Sequence, residues 1–225
     1  MELIQSVIRR RLLLLNNSQI GHQAEKIFRE NIVIKEKLNI FFRKNIHSIE
    51  KVHGKKTDNL ILFEDNSFVS VQNKKIKWIG GRGLSVDRRP LEKCFSPDIN
   101  TLLGKLCLDK NISNNEKFLL TRKLEKQEVE TFIRKVFLGK VLSPHYFIFM
   151  QSEKLFSFNL FLLKSDVLLD FLINNINVEV KKTCLSLGKN IYLQRKGSLK
   201  NDKKYHDIQT KFIVSQEILD FCQKI

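Results

Sequence analysis

The clearest alternation of hydrophobic and polar positions in the chain lies between residues 58 and 74. Leu60–Phe63 is apolar, Glu64–Ser67 is polar, and apolar and polar residues alternate from Val69 to Gln72. Alternation with a period of two is typical of a half-buried strand, and a short polar segment between two such runs is typical of a turn. The pattern predicts an antiparallel β-hairpin over residues 58–74.

Other segments have apolar residues every three or four positions, which is the spacing of an amphipathic helix. The helices predicted in this way cover 4–15, a second segment that Ser18 caps, 32–44, 98–108, 115–138 and 165–174, with a closing helix after Ser215. Further strands are expected at 46–52, 146–150, 156–163 and 208–214, with a hairpin through 188–190 and a glycine-bearing loop at 78–83. This order of elements predicts an α/β protein with a mixed central β-sheet flanked by helices.

Length and composition limit the number of domains. The chain has 225 residues, of which 42% are hydrophobic, and it contains 17 Phe. A chain of this size can bury a sizeable core as one domain. We therefore expect a single domain over residues 1–225, with a helical insertion at about 98–144.

The predicted hairpin brings three chemically useful groups together. Pairing about its polar turn places Asp58 opposite Gln72, or within one residue of it, at cross-strand contact distance. The alternation of the second strand sends Val69 and Val71 to one side, which suits a core, and Gln72 and Lys74 to the other. A carboxylate oxygen, an amide oxygen and an ammonium group are therefore expected on one face of the hairpin.

These groups suit a Mg²⁺ site that acts on a phosphate. Mg²⁺ binds carboxylate, carbonyl and water oxygens, and often uses only one or two protein carboxylates together with substrate phosphate oxygens. Asp58 and Gln72 are therefore candidate ligands of an open site, and Lys74 is a candidate to orient or deprotonate an attacking water and to offset charge on the phosphorus. A surface hairpin with polar residues facing water would have the same spacing, and this alternative stays open from the sequence.

The charge of the chain favours a polyanionic partner. There are 40 Lys and Arg against 24 Asp and Glu, a formal net charge of +16. The excess is concentrated at 74–93, with seven basic and two acidic residues, and at 181–211, with nine basic and two acidic residues. Nucleic acid is the first candidate. A solvated basic surface is the alternative, and an anionic membrane is a third, although no stretch resembles a long amphipathic anchor.

The cysteines and histidines show no metal-ligand spacing. Cys94, Cys107, Cys184 and Cys222 are widely separated, with no Cys-x-x-Cys pair and no nearby His. This pattern predicts reduced thiols in a cytoplasmic protein and argues against a structural zinc. The apolar runs at 1–15 and 155–163 are too short for a signal peptide or a membrane span.

The candidate site also resembles a known family. Thr-Asp-Asn at 57–59 followed by Val-Gln-Asn-Lys at 71–74 is similar to the active-site signature of the PD-(D/E)XK nucleases. The match is to the variant in which Gln replaces the second acid, as in type II restriction endonucleases of the MspI and HinP type. Arg-Gly-Leu at 82–84, Gln-Arg-Lys-Gly at 194–197 and the segment 208–212 resemble later parts of the HinP-type enzyme. No Pro precedes Asp58, and residues 98–144 match only as a helical region.

The resemblance implies a fold and a set of roles. The fold is a mixed five-stranded sheet flanked by helices, and Mg²⁺ is held by Asp58 and Gln72 while Lys74 assists the water. Glu25, on the second helix, resembles the helical Glu that many such nucleases place near the site. A solvated helix face is the alternative for Glu25.

The resemblance also places base readout in two regions. Arg pairs with guanine and Gln with adenine, so Arg82, Arg195 and Gln194 are the leading base-reading candidates, with phosphate contact as the alternative for each. The full set of predicted DNA-binding residues is Arg82, Ser85, Asp87, Arg88 and Arg89 in a loop after Lys77, and Gln194, Arg195, Lys196, Lys203, Lys204, Gln209 and Lys211 farther along the chain.

The activity that the resemblance implies is that of a type II restriction endonuclease in the bacterial cytoplasm. Such an enzyme hydrolyses both strands of double-stranded DNA at a short palindromic site, here of four bases and GC-containing by analogy, and leaves 5′-phosphates. A cognate DNA methyltransferase is then its functional partner. Monomer and homodimer both stay open, because a palindrome suggests two-fold symmetry while similar enzymes include monomers. A non-catalytic nucleic-acid-binding protein and a repair or phage-exclusion nuclease are the alternatives.

Overall fold

The structure is a computed structural model, and it describes residues 17–53, 56–76, 79–80, 83–139, 141–154, 157–195 and 206–225. The predicted helix at 4–15 lies outside these residues. Among the described residues, no helix is long and apolar enough to cross a membrane.

The helices and strands follow each other in a mixed order. The helices are α1 Asn17–Glu30, α2 Ile32–Phe42, α3 Pro97–Gly104, α4 Asn114–Lys123, α5 Lys126–Leu138, α6 Ser165–Asn174 and α7 Gln216–Asp220. The strands are β1 Ile46–Lys51, β2 Asn59–Phe63, β3 Phe68–Ile76, β4 Leu84–Pro90, β5 Tyr146–Lys154, β6 Ser157–Lys164, β7 Glu179–Val180, β8 Cys184–Gly188, β9 Ile191–Arg195, β10 Asp207–Phe212 and β11 Gln223–Lys224. A single turn of 3₁₀-helix at Leu91–Lys93 and a π-helical turn at Lys105–Asp109 flank α3.

These elements form two compact units. The first unit takes its described residues from Met1–Trp78, Val141–Ser165 and Asp220–Ile225. The second takes them from Ile79–Lys140 and Asp166–Leu219. Each unit contains one sheet, and the helices predicted near residues 98–138 belong to the second unit.

The first unit is built on a mixed sheet of six strands. Their order is β1-β2-β3-β5-β6-β11, and only the central pair, β3 with β5, is parallel. Helices α1 and α2 contribute Ala24, Phe28, Ile34 and Leu38 to the hydrophobic core that covers one face of this sheet. The mixed α/β sheet flanked by helices is confirmed, with six strands in the described residues where five were expected, because the short β11 pairs with β6 at the edge.

Local signals fix the ends of α2 and the hairpin that follows it. The side chain of Asn31 accepts hydrogen bonds from the backbone N–H groups of Val33 and Ile34, which otherwise have no partner at a helix start. Arg43 adopts a left-handed conformation that ends the helix. The β2–β3 turn contains Asn66 at φ 63°, a backbone region that Asn tolerates better than most residues. The predicted hairpin is confirmed, with β3 extending to Ile76.

The second unit contains an antiparallel sheet of five strands in the order β4-β10-β9-β8-β7. Ile208, Thr210 and Phe212 on β10 are buried, whereas Asp207, Gln209 and Lys211 between them are only half-buried. Helix α5 packs its apolar side against this core, where the Phe137 and Phe212 rings meet edge to face at 5.3 Å. The sheet therefore has one core face and one polar face.

Two sequence expectations are corrected in the second unit. Residues 84–90 form β4 and not a loop, because they pair along the whole length of β10. The predicted helix at 115–138 is broken between α4 and α5, where Leu124 leaves the helical conformation and buries its side chain. Ser113 and Glu116 form a capping box that starts α4 one residue earlier than expected.

Candidate active site

The open end of the β2–β3 hairpin brings Asp58 and Lys74 together. The ladder ends with Asn59 opposite Val71, so Asp58 and Gln72 follow one step beyond it. The backbone N–H of Asp58 donates to the carbonyl oxygen of Val71 at 2.9 Å, which continues the strand pairing to Asp58 itself. Lys74 Nζ lies 3.9 Å from Asp58 Oδ2, as an ion pair.

The Asp58 carboxylate is held by the backbone as well as by Lys74. The backbone N–H of Asn73 donates to Asp58 Oδ2 at 2.9 Å. Both this bond and the ion pair with Lys74 reach the same oxygen. One carboxylate oxygen is therefore fixed in place, and the orientation of the other is fixed with it.

Gln72 and Lys74 lie on a covered face of β3. Val71 is fully buried in the hydrophobic core and Val69 packs against it, as the period of the strand predicts. Gln72 retains only 4% of its surface, and the Lys74 side chain retains 17%. In the parallel pairing with β5, Gln72 lies opposite the buried Phe147. The alternative of a surface hairpin with its polar side chains facing water is thereby excluded.

Burial raises the pKa of the Asp58 carboxyl above its ordinary value of 3.8. The desolvation of the charged form is the largest cause, and the positive charge of Lys74 and the hydrogen bond from Asn73 only partly oppose it. The negative charge of Glu25 raises the pKa further, while Lys56 lowers it slightly. The site is therefore short of positive charge when Asp58 is ionised.

Glu25, on helix α1, acts on this site through its charge. It is half-buried, and its carboxylate is close enough for its charge to act on Asp58. His22, which is one turn earlier on the same helix and largely exposed, lies 3.8 Å from the Glu25 carboxylate through Nδ1. The charge of Glu25 is therefore felt at the Asp58 end of the hairpin.

The residues present fit a hard divalent cation. Asp58, Glu25 and Gln72 offer only oxygen atoms as ligands, which is the donor type that Mg²⁺ prefers. The raised pKa of Asp58 shows that a further positive charge would stabilise the ionised carboxylate. Within the described ranges there is no group of three or more His, Cys, Asp or Glu that could bind a metal ion.

The cysteines of the chain do not offer a nucleophile. All four are free thiols, and Cys94 and Cys107 are buried. Desolvation raises the pKa of Cys94, Cys107 and Cys222 to about 12. These thiols stay protonated near neutral pH, whereas a reactive cysteine needs the thiolate form.

The polar face of the five-stranded sheet collects part of the predicted DNA-binding set. Arg88 on β4 lies opposite Gln209 on β10, and Gln209 lies opposite Gln194 on β9. Residues directly opposite each other share a face, so these three side chains form a row across the sheet. A second row contains Ser85, Lys211 and Tyr192.

Contacts within these rows order the side chains. Gln209 Nε2 donates to Ser85 Oγ at 2.8 Å, and Arg88 Nε lies 3.2 Å from Asp207 Oδ2. Burial lowers the pKa of Lys211, so a nearby anion would stabilise its charged form. Tyr192 was not singled out from the sequence, although its alternation with Gln194 on β9 places both on this face.

Three other predicted DNA-binding residues, Asp87, Arg89 and Arg195, lie on the opposite face of the sheet. Asp87 and Arg89 form an ion pair at 2.6 Å between two side chains that are about nine-tenths buried, and the Arg89 guanidinium lies over the Phe132 ring at 5.3 Å. Arg195 is opposite Ile208, so it lies on the other face of the sheet from Gln194. Arg82, Lys196, Lys203 and Lys204 lie outside the described residues.

Comparison with solved structures identifies the fold. The crystal structure of the restriction endonuclease MspI in complex with its cognate DNA matches with a TM-score of 0.53 and 17% sequence identity, over 84% of this chain and 82% of that chain. The chain has a restriction-endonuclease-like fold. No protein-family model and no curated protein sequence matches the chain. The assignment of this fold therefore rests on similarity of three-dimensional structure and not on sequence similarity.

The raised pKa of Asp58 predicts a pH dependence of stability in the metal-free protein. Between the ordinary value of 3.8 and the raised one, the folded state binds a proton that the unfolded state has lost, so stability falls as pH rises through that window. Asp58→Asn has no carboxyl group to titrate, so it removes this loss of stability with rising pH. The charges of Lys74, Glu25 and Lys56 still act at the site in this variant. Thermal unfolding in EDTA should therefore show Asp58→Asn gaining on the wild type as pH rises above the ordinary value of 3.8.

Asp65 provides a control of opposite sign. Its carboxyl pKa is lowered, chiefly by the hydrogen bond from Lys44 and then by those from Ser67. Asp65→Asn should therefore lose stability relative to the wild type as pH rises towards the ordinary value of 3.8, and the difference should stay constant above it. Parallel curves for Asp58→Asn and the wild type across the window would contradict the raised pKa of Asp58.

Proposed function

We propose that the protein is a Mg²⁺-dependent endonuclease that cleaves both strands of DNA at a short palindromic site, as type II restriction enzymes of the MspI and HinP type do. The observation that carries the proposal is the convergence of Asp58 and Lys74 at the open end of a buried hairpin, with Gln72 on the same covered face. The restriction-endonuclease-like fold supports it independently of the signature residues.

The metal would be held by Asp58 and Gln72. A bound Mg²⁺ would supply positive charge for the phosphate oxygens and lower the pKa of the attacking water. Asp58 suits this role because its carboxylate is buried, oriented by Asn73 and short of a full counter-charge. Glu25 adds a second carboxylate whose charge is already felt at Asp58, and this compensates for the uncharged Gln72 at the position where most of the superfamily has an acid.

Lys74 would act on the water and on the phosphate. Its ammonium group is held 3.9 Å from Asp58 Oδ2 and is mostly shielded from solvent, so its position is defined before substrate binds. A fixed cation next to the scissile phosphate stabilises the negative charge that develops on the phosphoryl oxygens. The water oxygen forms a bond to phosphorus as the bond to the 3′ oxygen breaks, which leaves a 5′-phosphate and a 3′-hydroxyl.

The second unit would bind the DNA. Its polar sheet face presents Arg88, Gln194, Gln209 and Lys211, which are residue types that contact base edges and phosphates. The formal charge of +16 would add sequence-independent attraction to the phosphate backbone. Arg82, Arg195, Lys196, Lys203 and Lys204 stay predicted contributors, as do Asp87 and Arg89, although the last two contact each other in the structure.

Several finer features belong to the same proposal. The target would be a four-base site that contains GC, and the host DNA would be protected by a cognate methyltransferase. The protein would act in the bacterial cytoplasm as a monomer or a homodimer. These features are supported by the similarity of the signature residues to the MspI and HinP type, and each is open to direct measurement.

Plasmid cleavage tests the activity and separates the rival functions. With Mg²⁺ we expect discrete fragments from wild-type protein, and with EDTA we expect retarded but intact plasmid. A smear would indicate a nonspecific repair or exclusion nuclease, and intact plasmid with Mg²⁺ would indicate a binding protein without catalysis.

Substitution of the hairpin residues should separate catalysis from binding. Asp58→Ala and Lys74→Ala should each abolish Mg²⁺-dependent cleavage, because one removes the proposed ligand and the other the fixed cation, while salt-sensitive DNA binding in EDTA stays near the wild-type level. Single-turnover cleavage and a binding titration measure the two effects.

Lys75→Ala is the matched control for Lys74→Ala. Lys75 has the same charge and is the next residue on β3, but the alternation of the strand puts it on the opposite face. It should retain cleavage. Full cleavage by Asp58→Ala or Lys74→Ala would rule out the proposed site.

Substitution on the polar sheet face should change sequence discrimination. If Gln194 and Gln209 contact base edges, Gln194→Ala and Gln209→Ala should each lower the preference for the target over a one-base variant by about 10-fold or more, since a good base contact contributes roughly 1–3 kcal/mol of discrimination. Competitive cleavage of the two sequences measures this preference. Gln127→Ala, on an exposed position of α5, is the control, and equal preferences in all four proteins would remove this face from base readout.

A further inference from the structure

Two asparagines are buried among apolar side chains on the core face of the catalytic hairpin. Asn59 has no exposed surface and Asn73 retains 5%. Their neighbours on this face, Ile61, Val71 and Met150, belong to the hydrophobic core. An amide in such surroundings costs free energy unless its donors and acceptors are paired, so the partners of these two amides are the important observation.

The two amides pair with each other and with helix α1. Arg29 Nη1 donates to Asn59 Oδ1 at 3.1 Å, and Asn59 Nδ2 donates to Asn73 Oδ1 at 2.7 Å. The Asn73 Nδ2 group in turn contacts Met150 Sδ at 3.9 Å. A guanidinium has only donors, so it fixes which end of Asn59 is the oxygen, and Asn59 then fixes the orientation of Asn73. Neither amide can therefore flip without losing these hydrogen bonds.

One end of this chain of hydrogen bonds lies at the Asp58 carboxylate, and the other end lies on the helix that carries Glu25. The backbone N–H of Asn73 donates to Asp58 Oδ2, and Asn59 directly follows Asp58 in the strand. At the other end, Arg29 follows Glu25 by four residues on α1, so the two side chains share one face of the helix. The bonds therefore connect the helix that carries Glu25 to the strands that carry Asp58.

We propose that Arg29, Asn59 and Asn73 form a positioning network that fixes the Glu25 and Asp58 carboxylates relative to each other and so sets the affinity of the site for a divalent ion. The inference rests on the proposed function, because it assumes that these carboxylates hold a metal. Replacing both members of a buried polar pair by apolar groups of similar shape is often nearly neutral for stability. The orientation of the carboxylates is thus a better reason for these amides than stability alone.

Metal binding by variants of Arg29 tests the network without depending on cleavage. Arg29→Met keeps the apolar stem and removes the donors, whereas Arg29→Lys restores a donor and the charge. Titration calorimetry of the full chain with Mn²⁺ and with Mg²⁺, in the absence of DNA, gives the dissociation constants. Loss of a residue that orients a metal ligand weakens metal affinity by about 10-fold or more, so we expect that loss in Arg29→Met and a partial recovery in Arg29→Lys.

Two further variants keep the result interpretable. Asn59→Leu combined with Asn73→Leu removes the amide pair as a unit and leaves neither amide unpaired, and it should weaken metal binding as Arg29→Met does. Ile46→Val removes one methylene from the same hydrophobic core on β1 and controls for a general loss of packing. It should bind Mn²⁺ like the wild type, and DNA binding in EDTA should be unchanged in all these variants.

The outcomes separate the network from the nuclease assignment. If Arg29→Met and the double variant bind Mn²⁺ as the wild type does, or if Ile46→Val weakens binding equally, the positioning role is overturned while the nuclease assignment stands. If the wild type binds Mn²⁺ but does not cleave DNA, the nuclease assignment fails and the variants still decide the network. If the wild type binds neither ion in the absence of DNA, the positioning network is overturned, and plasmid cleavage decides the nuclease assignment separately.

Discussion

The central constraint on this protein is a carboxylate that is removed from water without a full counter-charge. Asp58 sits at the open end of a hairpin, where burial raises its pKa and the nearby Glu25 raises it further. Lys74 and the backbone of Asn73 stabilise the ionised form but do not balance these effects. A group held in this state favours a ligand that brings positive charge, and the proposed divalent ion would find oxygen donors around it.

The rest of the first unit serves to keep that carboxylate in place. Strand β3 pairs with β2 on one side and with the parallel β5 on the other, so Gln72 and Lys74 are presented from the centre of the sheet and not from its edge. Helices α1 and α2 bury Phe28 and Leu38 against the same strands, which fixes the helix that carries Glu25. Functional groups on packed strands and helices are more precisely placed than groups on loops.

Much of the first unit could be predicted from the sequence because its signals are local. The period-two alternation around Val69 and Val71 gave the correct faces of β3, and the polar turn gave the correct register for Asp58 and Gln72. The burial of Gln72 could not be predicted in the same way, since it depends on β5, a strand 70 residues farther along the chain. The hydrogen bonds from Arg29 to Asn59 and from Asn59 to Asn73 depend on tertiary packing for the same reason.

In the second unit, local sequence patterns do not predict strand β4. Strand β4 was mistaken for a loop because its Ser, Asp and Arg residues hide the apolar alternation of Leu84 and Val86. Its pairing with β10 outweighs the weak strand propensity of these residues. The consequence bears on the proposed DNA-binding face, because Arg88 becomes part of an ordered row with Gln209 and Gln194, whereas Arg89 pairs with Asp87.

The location of a bound ion tests the central constraint most directly. Crystals of the full chain soaked in Mn²⁺, which binds oxygen ligands as Mg²⁺ does, would show the ion by its anomalous scattering. The peak should lie about 2.1 Å from a carboxylate oxygen of Asp58, with the carbonyl oxygen of Gln72 as a further ligand. A peak elsewhere in the protein, with none at Asp58 at saturating Mn²⁺, would contradict the assignment of this hairpin as a metal-dependent active site.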